Sequence, residues 1–137
     1  MNVLAALVDL VRRVVVRSRV IDFSSLPRSD LVIWDRMGSE LVTRGLDDSE
    51  FFVLDTRLGV SHMDWRVVLK MLRRRDLSFS CYLRSCVEVI NPKVVVTFTD
   101  NDSAFLAAAN SLTEMAFLAT QHGWRIPFGW GLPNPWG

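Results

Sequence analysis

Short apolar runs alternate with helix-like stretches through the middle of the chain. Four runs of four or five residues are almost wholly apolar, which is typical of strands buried on both faces of a sheet. The stretches between them repeat apolar residues every three or four positions, as helices packed on one side do. The alternation predicts a Rossmann-like three-layer α/β/α domain with a mainly parallel sheet of about four strands. The predicted strands are 31–34, 51–54, 94–98 and 116–120.

Helical spacing and end signals define the elements between the strands. The periodicity is cleanest over 78–90, and Asn91-Pro92 ends that helix. In the preceding helix, an apolar side formed by Trp65, Val68, Leu69 and Leu72 is expected to face the core. The predicted helices are 39–44, 62–75, 78–90 and one that runs from a cap at Asp100 or Asn101 to Asn110.

Residues 2–18 predict an N-terminal amphipathic helix with arginines crowded at its C-terminal end. Two interpretations stay open, a basic helix lying on an anionic membrane surface and a helix packed on its own domain or on a partner. Charged residues interrupt its apolar part well short of the roughly 20 residues that a membrane span needs. The predicted divisions are an N-terminal helix and connection (1–29), the Rossmann-like domain (30–125) and a Gly/Pro/Trp-rich tail or truncation point (126–137).

Composition narrows the class of protein. The 137 residues suit one domain, and half of them are hydrophobic, so the chain can bury a core. A net charge of +1 gives no general attraction to nucleic acid, which we exclude as a partner. Two cysteines cannot build a disulfide framework, and we expect reduced, packed thiols in a cytoplasmic protein. With two histidines and no C-x-x-C or H-E-x-x-H motif, no metal site is predicted.

Polar and charged residues follow every predicted strand. In open α/β sheets, ligands bind beyond the carboxyl ends of the strands, so these loops form the expected site. Such groups gathered along one edge of a sheet are more informative than any single motif. The four loops are 35–40, 55–59, 99–103 and 121–125.

Three side chains in these loops suit proton transfer. Asp100 and Asp102 can share a proton, act as a base or hold a divalent cation through oxygen ligands. The alternative is that they cap the following helix and complement its dipole. His122 follows the fourth strand and has an ordinary pKa near neutral pH, so it is an acid/base candidate. The alternative for His122 is a loop histidine bonded to a backbone carbonyl.

Arginines in the same loops suit anion binding. Arg36, Arg57 and Arg125 can bind a phosphate or carboxylate through two parallel hydrogen bonds. The alternative is surface pairing with neighbouring aspartates. Gly38-Ser39 opens a helix and can present backbone N–H groups to an anion, or can form an ordinary cap. No G-x-G-x-x-G or Walker loop accompanies it.

Four strings from these regions resemble a known family. VIWDRMGSELV, FFVLDTRLG, YLRSCVEVINPKVVVTFTDND and FLATQHGWR resemble, in order and spacing, the N-terminal half of bacterial surface carbohydrate biosynthesis proteins, which are glycosyltransferase-like and encoded with polysaccharide genes. The resemblance covers roughly residues 30–125, and NPKVVVTFTDND is its most specific part. QHG resembles the Q-N-G turn of the family, so His122 stands where the family has an asparagine, which cannot act as a base.

The resemblance implies the GT-B architecture, in which two Rossmann-like domains face each other across a cleft. The N-terminal domain generally contacts the acceptor. The C-terminal domain generally holds the sugar nucleotide, usually without an essential metal. The resemblance therefore implies an acceptor-side domain that is inactive alone and needs a second Rossmann-like domain in the same or another chain. No resident cofactor is implied, and a nucleotide sugar is the co-substrate.

The first hypothesis is glycosyl transfer from a nucleotide sugar to a glycan or lipid-linked acceptor in surface polysaccharide assembly. Asp100 or Asp102 deprotonates or positions the acceptor hydroxyl, and His122 is the other catalytic candidate. The location expected is the cytoplasm, at the inner face of the membrane where the N-terminal helix contacts it. The substrate-binding candidates are Asp35, Arg36, Gly38, Ser39, Glu40, Arg57, Asn101, Gln121, Gly123 and Arg125.

The second hypothesis is a non-catalytic binding or regulatory module. A receiver-like domain is one version, but it requires an acidic pair after the first strand and a lysine after the fifth. Here Asp35 stands next to Arg36, and Lys70 and Lys93 are at neither place. A scaffold remnant that binds a partner through its Trp-rich tail is the other version.

Overall fold

The computed structural model describes residues 22–57, 59–99 and 102–120. Four parallel strands form one sheet in the order β2-β1-β3-β4, which confirms the predicted α/β fold. The N-terminal helix predicted over 2–18 and the tail 126–137 lie outside the described residues. The strands are β1 (Leu31–Trp34), β2 (Phe51–Leu54), β3 (Val94–Thr97) and β4 (Ala116–Ala119).

Four helices connect the strands in the described part of the chain. Two predictions about their ends are wrong. The helix predicted to begin at His62 begins at Trp65, because Asp64 has an extended backbone and its side chain accepts from the Arg66 amide as the N-cap. Asp102 rather than Asp100 or Asn101 caps the last helix. Its Oδ1 accepts hydrogen bonds from the amides of Ala104 (2.8 Å) and Phe105 (3.2 Å). A capping oxygen reaches only the first free amides of the helix, so the residue directly before the first turn performs this role. The helices are α1 (Ser39–Thr43), α2 (Trp65–Arg74), α3 (Phe79–Ile90) and α4 (Ser103–Ser111).

The direction of each connection determines which face of the sheet a helix covers. The chain steps one way from β1 to β2 and the other way from β2 to β3 and from β3 to β4. Right-handed crossovers therefore place α1 on one face and α2, α3 and α4 on the other. The packing of α3 against both α2 and α4 agrees with this arrangement.

The main core lies between the sheet and α2–α4. β1 is central, and Val32 pairs in register with Phe52 of β2 and Val95 of β3. β2 and β4 are the two edge strands of the described sheet, and β4 is more exposed than the buried strand that its apolar run predicted, because only one described strand pairs with it. Its Phe117 still reaches the core, where its ring lies 5.4 Å from that of Phe105.

The core-facing side predicted for α2 is wrong. Val67 and Met71 are buried, whereas Trp65, Leu69 and Leu72 are exposed. The contacts of the charged residues explain this rotation of the helix. Arg74 donates to Ser85 and Glu88 of α3, and Lys70 donates to Glu88, so the side of α2 that carries them must face α3. Arg74 therefore faces α3, whereas its neighbours Arg73 and Arg75 are exposed.

Glu88 is the acceptor that ties α2 to α3. Burial raises the pKa of Glu88, but hydrogen bonds from Lys70 and Arg74 outweigh burial and hold the pKa below its ordinary value. Arg84, one turn earlier on α3, adds a contact of 3.3 Å. A partly buried carboxylate with three cations stays charged, which keeps the two helices in register.

Asp64 fastens the start of α2 to the segment that precedes β1. Its carboxylate accepts hydrogen bonds from the Arg66 amide (2.8 Å), the Leu26 amide (2.8 Å) and the Arg66 guanidinium (2.6 Å). The Arg66 guanidinium also donates to the Leu26 carbonyl. The side-chain bonds from Arg66 lower the pKa of Asp64 to about 2.

No helix among these residues is at once long and apolar enough to pass through a bilayer. Both cysteines are buried and unpaired, as expected for packed thiols. Burial raises the pKa of Cys81, and it raises the pKa of Cys86 to about 12. Neither thiol is therefore poised as a nucleophile.

We expect the Asp64→Ala variant to lose about 2–4 kcal/mol of unfolding free energy, because it loses a helix cap and leaves the Leu26 amide and Arg66 without their acceptor. Urea denaturation measures this change. Asp48→Ala, at an exposed position, is the control and is expected to change stability by less than about 0.5 kcal/mol. Equal stabilities of the two variants would contradict the role of Asp64.

The lowered pKa of Asp64 also predicts a pH dependence. A carboxylate with a lower pKa in the folded state stabilises the fold above its unfolded pKa, and this contribution is lost as the pH falls through the folded pKa. The part of the stability due to Asp64 should therefore disappear between about pH 4 and about pH 2. The difference in unfolding free energy between the native chain and Asp64→Asn should shrink over that window. A difference that stays constant would rule out this linkage.

The burial of the thiols predicts slow chemical modification. A disulfide reagent such as DTNB should label the native chain only as fast as the fold opens, because Cys81 and Cys86 are buried and protonated. In urea, both thiols should react at once. Immediate labelling of the native chain would show that the α3 side of the core is open.

Candidate functional site

The last residues of the four strands lie in one row across the sheet. Trp34 pairs with both Leu54 and Thr97, and Thr97 pairs with Ala119. Because all the strands are parallel, the loops that follow them leave at the same edge, which we call the carboxyl edge. The loops singled out from the sequence therefore begin at this edge, as far as the structure describes them.

The carboxyl edge contains a switch point between β1 and β3. The chain leaves β1 toward β2 and leaves β3 toward β4, so the two connections diverge in opposite directions. This divergence opens the crevice in which α/β sheets of this kind bind ligands. The described residues that border it are Asp35, after β1, and Phe98, Thr99 and Asp102, between β3 and α4.

A buried tryptophan ties the two sides of the switch point together. The Trp34 indole Nε1 donates to Asp102 Oδ2 across 2.8 Å. The Trp34 ring is fully buried and lies edge-on to Phe105, with 5.6 Å between ring centres. Asp102 thus accepts from Trp34 with one oxygen and caps α4 with the other. These bonds give Asp102 a structural role. Its predicted role as a base stays a prediction.

The Asp35–Arg57 pair joins the ends of β1 and β2. Arg57 Nε donates to Asp35 Oδ2 at 2.6 Å, and Asp35 Oδ1 accepts from the Met37 amide at 3.2 Å. The Asp35 side chain is 5% exposed, whereas that of Arg57 is 52% exposed. A buried, fixed carboxylate therefore orients a guanidinium whose outer part lies in solvent.

Asp35, the carboxylate of this ion pair, has a backbone conformation that is unusual for a residue other than glycine. Its φ is +82°, in a region that few non-glycine residues adopt. Its amide continues the sheet ladder by donating to the Leu54 carbonyl. Strained conformations of this kind persist where the surroundings hold them, and they cluster at binding sites. The strain therefore adds weight to the carboxyl edge as a candidate site.

The turn after Asp35 uses the polar groups that were candidates for anion binding. The Ser39 amide and hydroxyl both donate to the Arg36 carbonyl, at 3.2 and 2.8 Å. Gly38 has φ +78° and precedes α1, which has only five residues. Ser39 and Gly38 thus serve the turn in this structure. Arg36 and Glu40 are exposed, and neither forms an ion pair with another described residue.

The remaining candidates fall outside the described residues. Thr120, the last residue described, donates through its amide and hydroxyl to the Thr97 carbonyl and so extends the ladder at the carboxyl edge. The roles predicted for the other candidates stay predictions. They are Asp100, Asn101, Gln121, His122, Gly123 and Arg125.

Sequence reasoning missed Trp34 as part of the site. The residue fits an apolar strand, and nothing local distinguishes it from a core residue. The available signal was its indole N–H, since a buried tryptophan usually finds a hydrogen-bond acceptor. Asp102 lies 68 positions away in the sequence, so only the fold identifies it as that acceptor.

A polar recess of about 470 Å³ lies at the opposite edge of the sheet. Its lining belongs to loops that precede the strands, and it is exposed or half-buried throughout. We place the candidate site at the carboxyl edge because a buried group orients a cation there, whereas no buried side chain shapes the recess. The recess is lined by Arg28, Ser29, Asp30, Ser49, Glu50 and Asn91.

Nothing in the described stretches gathers a metal-binding set. No three side chains of His, Cys, Asp or Glu in 22–57, 59–99 and 102–120 lie close enough together to hold an ion. The chemistry that the described edge offers is therefore that of an oriented arginine and of hydrogen-bonded carboxylates.

The Trp34–Asp102 bond predicts an energetic coupling between β1 and α4. In a double-mutant cycle of Trp34→Phe, Asp102→Ala and the double variant, the two single losses of unfolding free energy should not add. We expect a coupling of about 1–3 kcal/mol, because the bond joins a buried N–H to a carboxylate. Urea denaturation measures it. Additive losses would show that the two side chains act independently.

No protein-family model, curated protein or solved structure matches this chain. A functional assignment therefore depends on the geometry of the carboxyl edge and on the resemblance of the strings quoted above. The geometry supports a Rossmann-like sheet with a polar switch point, and the resemblance indicates the class of chemistry to test there.

Proposed function

We propose that this chain is the acceptor-side domain of a glycosyltransferase-like protein of bacterial surface polysaccharide biosynthesis. In this proposal, the carboxyl edge binds an anionic group of a glycan or lipid-linked acceptor. The observation that carries it is the exposed Arg57 guanidinium held by the buried Asp35 carboxylate at the end of two parallel strands.

An arginine held in this way suits the recognition of phosphate or carboxylate. The bond to Asp35 uses Nε and leaves most of the other N–H groups for a ligand, apart from a contact of 3.6 Å between Nη2 and Met37 Sδ. A planar guanidinium with a fixed orientation loses less freedom when it binds an anion through two parallel bonds. Arg36, the exposed neighbour of Asp35, offers a second cation at the same edge.

The proposed reaction transfers a glycosyl group from a nucleotide sugar. The acceptor hydroxyl loses its proton to a carboxylate, its oxygen bonds to the anomeric carbon, and the bond from that carbon to the nucleoside diphosphate breaks. We favour Asp100 as the proton acceptor, because the oxygens of Asp102 already accept three N–H groups. A second Rossmann-like domain, in this or another polypeptide, holds the donor, and no resident cofactor takes part.

The remaining candidates complete the proposed cleft. Gln121, Gly123 and Arg125, which follow β4 in the sequence, are the further residues proposed to bind the acceptor. His122 stays the alternative proton-transfer residue. The non-catalytic alternative shares the anion site and lacks the transfer step, so binding and turnover must be measured separately.

Binding of an acceptor analogue tests the anion site. Titration calorimetry with inorganic pyrophosphate and with a short-chain polyprenyl diphosphate should give a Kd at least about ten-fold higher for Arg57→Gln than for the native chain, because a charge-assisted contact is lost. Arg44→Gln, at an exposed position after α1, is the matched control and should leave the Kd unchanged. Asp35→Asn should weaken binding to a smaller extent, because Arg57 keeps its charge but loses its partner.

A glycosyl-transfer assay with a panel of nucleotide sugars tests the catalytic part. The chain alone should give no turnover, and adding a GT-B C-terminal domain that binds the donor should be required. If Arg57→Gln binds both diphosphates as tightly as Arg44→Gln does, the anion site is refuted. Turnover by the chain alone would instead refute the need for a second domain.

A further inference from the structure

The outer side of α2 carries three apolar residues that the core does not use. Trp65, Leu69 and Leu72 are spaced by four and three positions, so they line one side of the helix. Their exposed fractions are 65%, 47% and 49%. Val67 and Met71, on the other side, are buried. We call Trp65, Leu69 and Leu72 the α2 stripe.

Two arginines at the C-terminal end of α2, beside the α2 stripe, form no ion pair with a described acidic residue. From Trp65 to the C-cap residue Arg75, α2 carries five basic side chains and no acidic side chain. Three of them face the rest of the domain and form ion pairs: Arg66 with Asp64, and Lys70 and Arg74 with Glu88. Arg73 and Arg75 are exposed, and neither joins an ion pair within the described residues. The next acid along the chain, Asp76, accepts a hydrogen bond from the Ser78 amide.

The described structure begins beside the start of α2, and the preceding sequence is positively charged. Asp22 exchanges backbone hydrogen bonds with Ser61 and Met63, so the chain enters the described structure next to the start of α2. Residues 1–21 contain four arginines and one aspartate. This excess of positive charge, like that of Arg73 and Arg75, favours attraction of the chain to a negatively charged surface.

Charge and size argue against a protein partner for the α2 stripe. Two copies packed through it in parallel would bring Arg73 and Arg75 of each helix toward those of the other. Three side chains also offer much less than the roughly 800 Å² per partner of a stable protein interface. Tryptophan and leucines on one side of a helix, with arginines beside them, are instead typical of helices that lie in the boundary between water and lipid.

We propose that the α2 stripe binds the surface of a membrane that contains anionic lipids. Trp65, Leu69 and Leu72 enter the boundary between headgroups and acyl chains, and Arg73 and Arg75 contact lipid phosphates. This binding involves no residue of the carboxyl-edge site, so its test is independent of the proposed glycosyl transfer.

Vesicle sedimentation of the full chain tests the apolar part of the proposal. The native chain should sediment with vesicles of phosphatidylcholine and phosphatidylglycerol, and much less with phosphatidylcholine alone. The double variant Leu69→Ser/Leu72→Ser should partition about ten-fold less, because two apolar contacts are lost. The matched control is Leu106→Ser/Leu118→Ser, on α4 and β4, where the leucines are 49% and 54% exposed, and it should partition as the native chain does.

Two further measurements separate the contributions that the arginines and Trp65 make to vesicle binding. Arg73→Gln/Arg75→Gln should remove much of the preference for phosphatidylglycerol, because about 1 kcal/mol per cation near an anionic surface is lost. Circular dichroism and thermal unfolding check that each variant keeps the native fold. A blue shift of tryptophan emission on binding should be smaller in Trp65→Phe than in the native chain.

Five results would overturn the proposal. Equal sedimentation with the two kinds of vesicle, or none with either, would exclude an anionic membrane. Native-like partitioning of Leu69→Ser/Leu72→Ser would assign binding to another part of the chain. Concentration-dependent dimers that this variant abolishes, without vesicle binding, would make the α2 stripe an interface between copies. Capture of an acidic amphipathic peptide in preference to vesicles would make its partner a protein.

Discussion

A buried indole N–H requires an acceptor, and in this fold the acceptor of Trp34 is Asp102. That bond connects the last residue of the central strand to the residue that caps α4. It therefore holds the start of α4 against the end of β1 at the switch point, where the connections from β1 and β3 diverge. Loss of the bond would affect the shape of the site and the stability of the core together.

The carboxyl edge combines a buried carboxylate and an exposed guanidinium in a way that suits ligand binding. Asp35 is buried, strained and bonded to the backbone of the next turn, so its carboxylate has one position. Arg57 is half exposed and gains its orientation from that carboxylate. An isolated surface arginine samples many rotamers and binds anions weakly, whereas an oriented arginine has lost much of that freedom before the ligand arrives. The proposed acceptor site depends on this difference.

α2 shows how charged contacts can override an apolar pattern. Its apolar residues occupy two sides of the helix, and burial alone does not decide which side faces the domain. Asp64 and Glu88 decide it, because each has buried oxygens that need the cations of α2. An uncompensated buried carboxylate costs more free energy than three partly exposed apolar side chains, so the apolar stripe is left outside. The membrane proposal for this stripe follows from that competition.

The kind of fold, and the edge of the sheet at which to look for a site, follow from the pattern of apolar and polar residues along the chain. Runs such as 31–34 and 94–97 are too apolar for any place but the inside of a parallel sheet, and the polar residues that follow them must then share one edge. Periodicity is a local property, so it also placed α3 within a residue. The tertiary structure alone decided that Asp102 accepts from Trp34, that Asp35 orients Arg57 and that α2 turns its tryptophan outward. These outcomes depend on partners between 11 and 68 positions apart, and only the folded chain brings such partners within hydrogen-bonding distance.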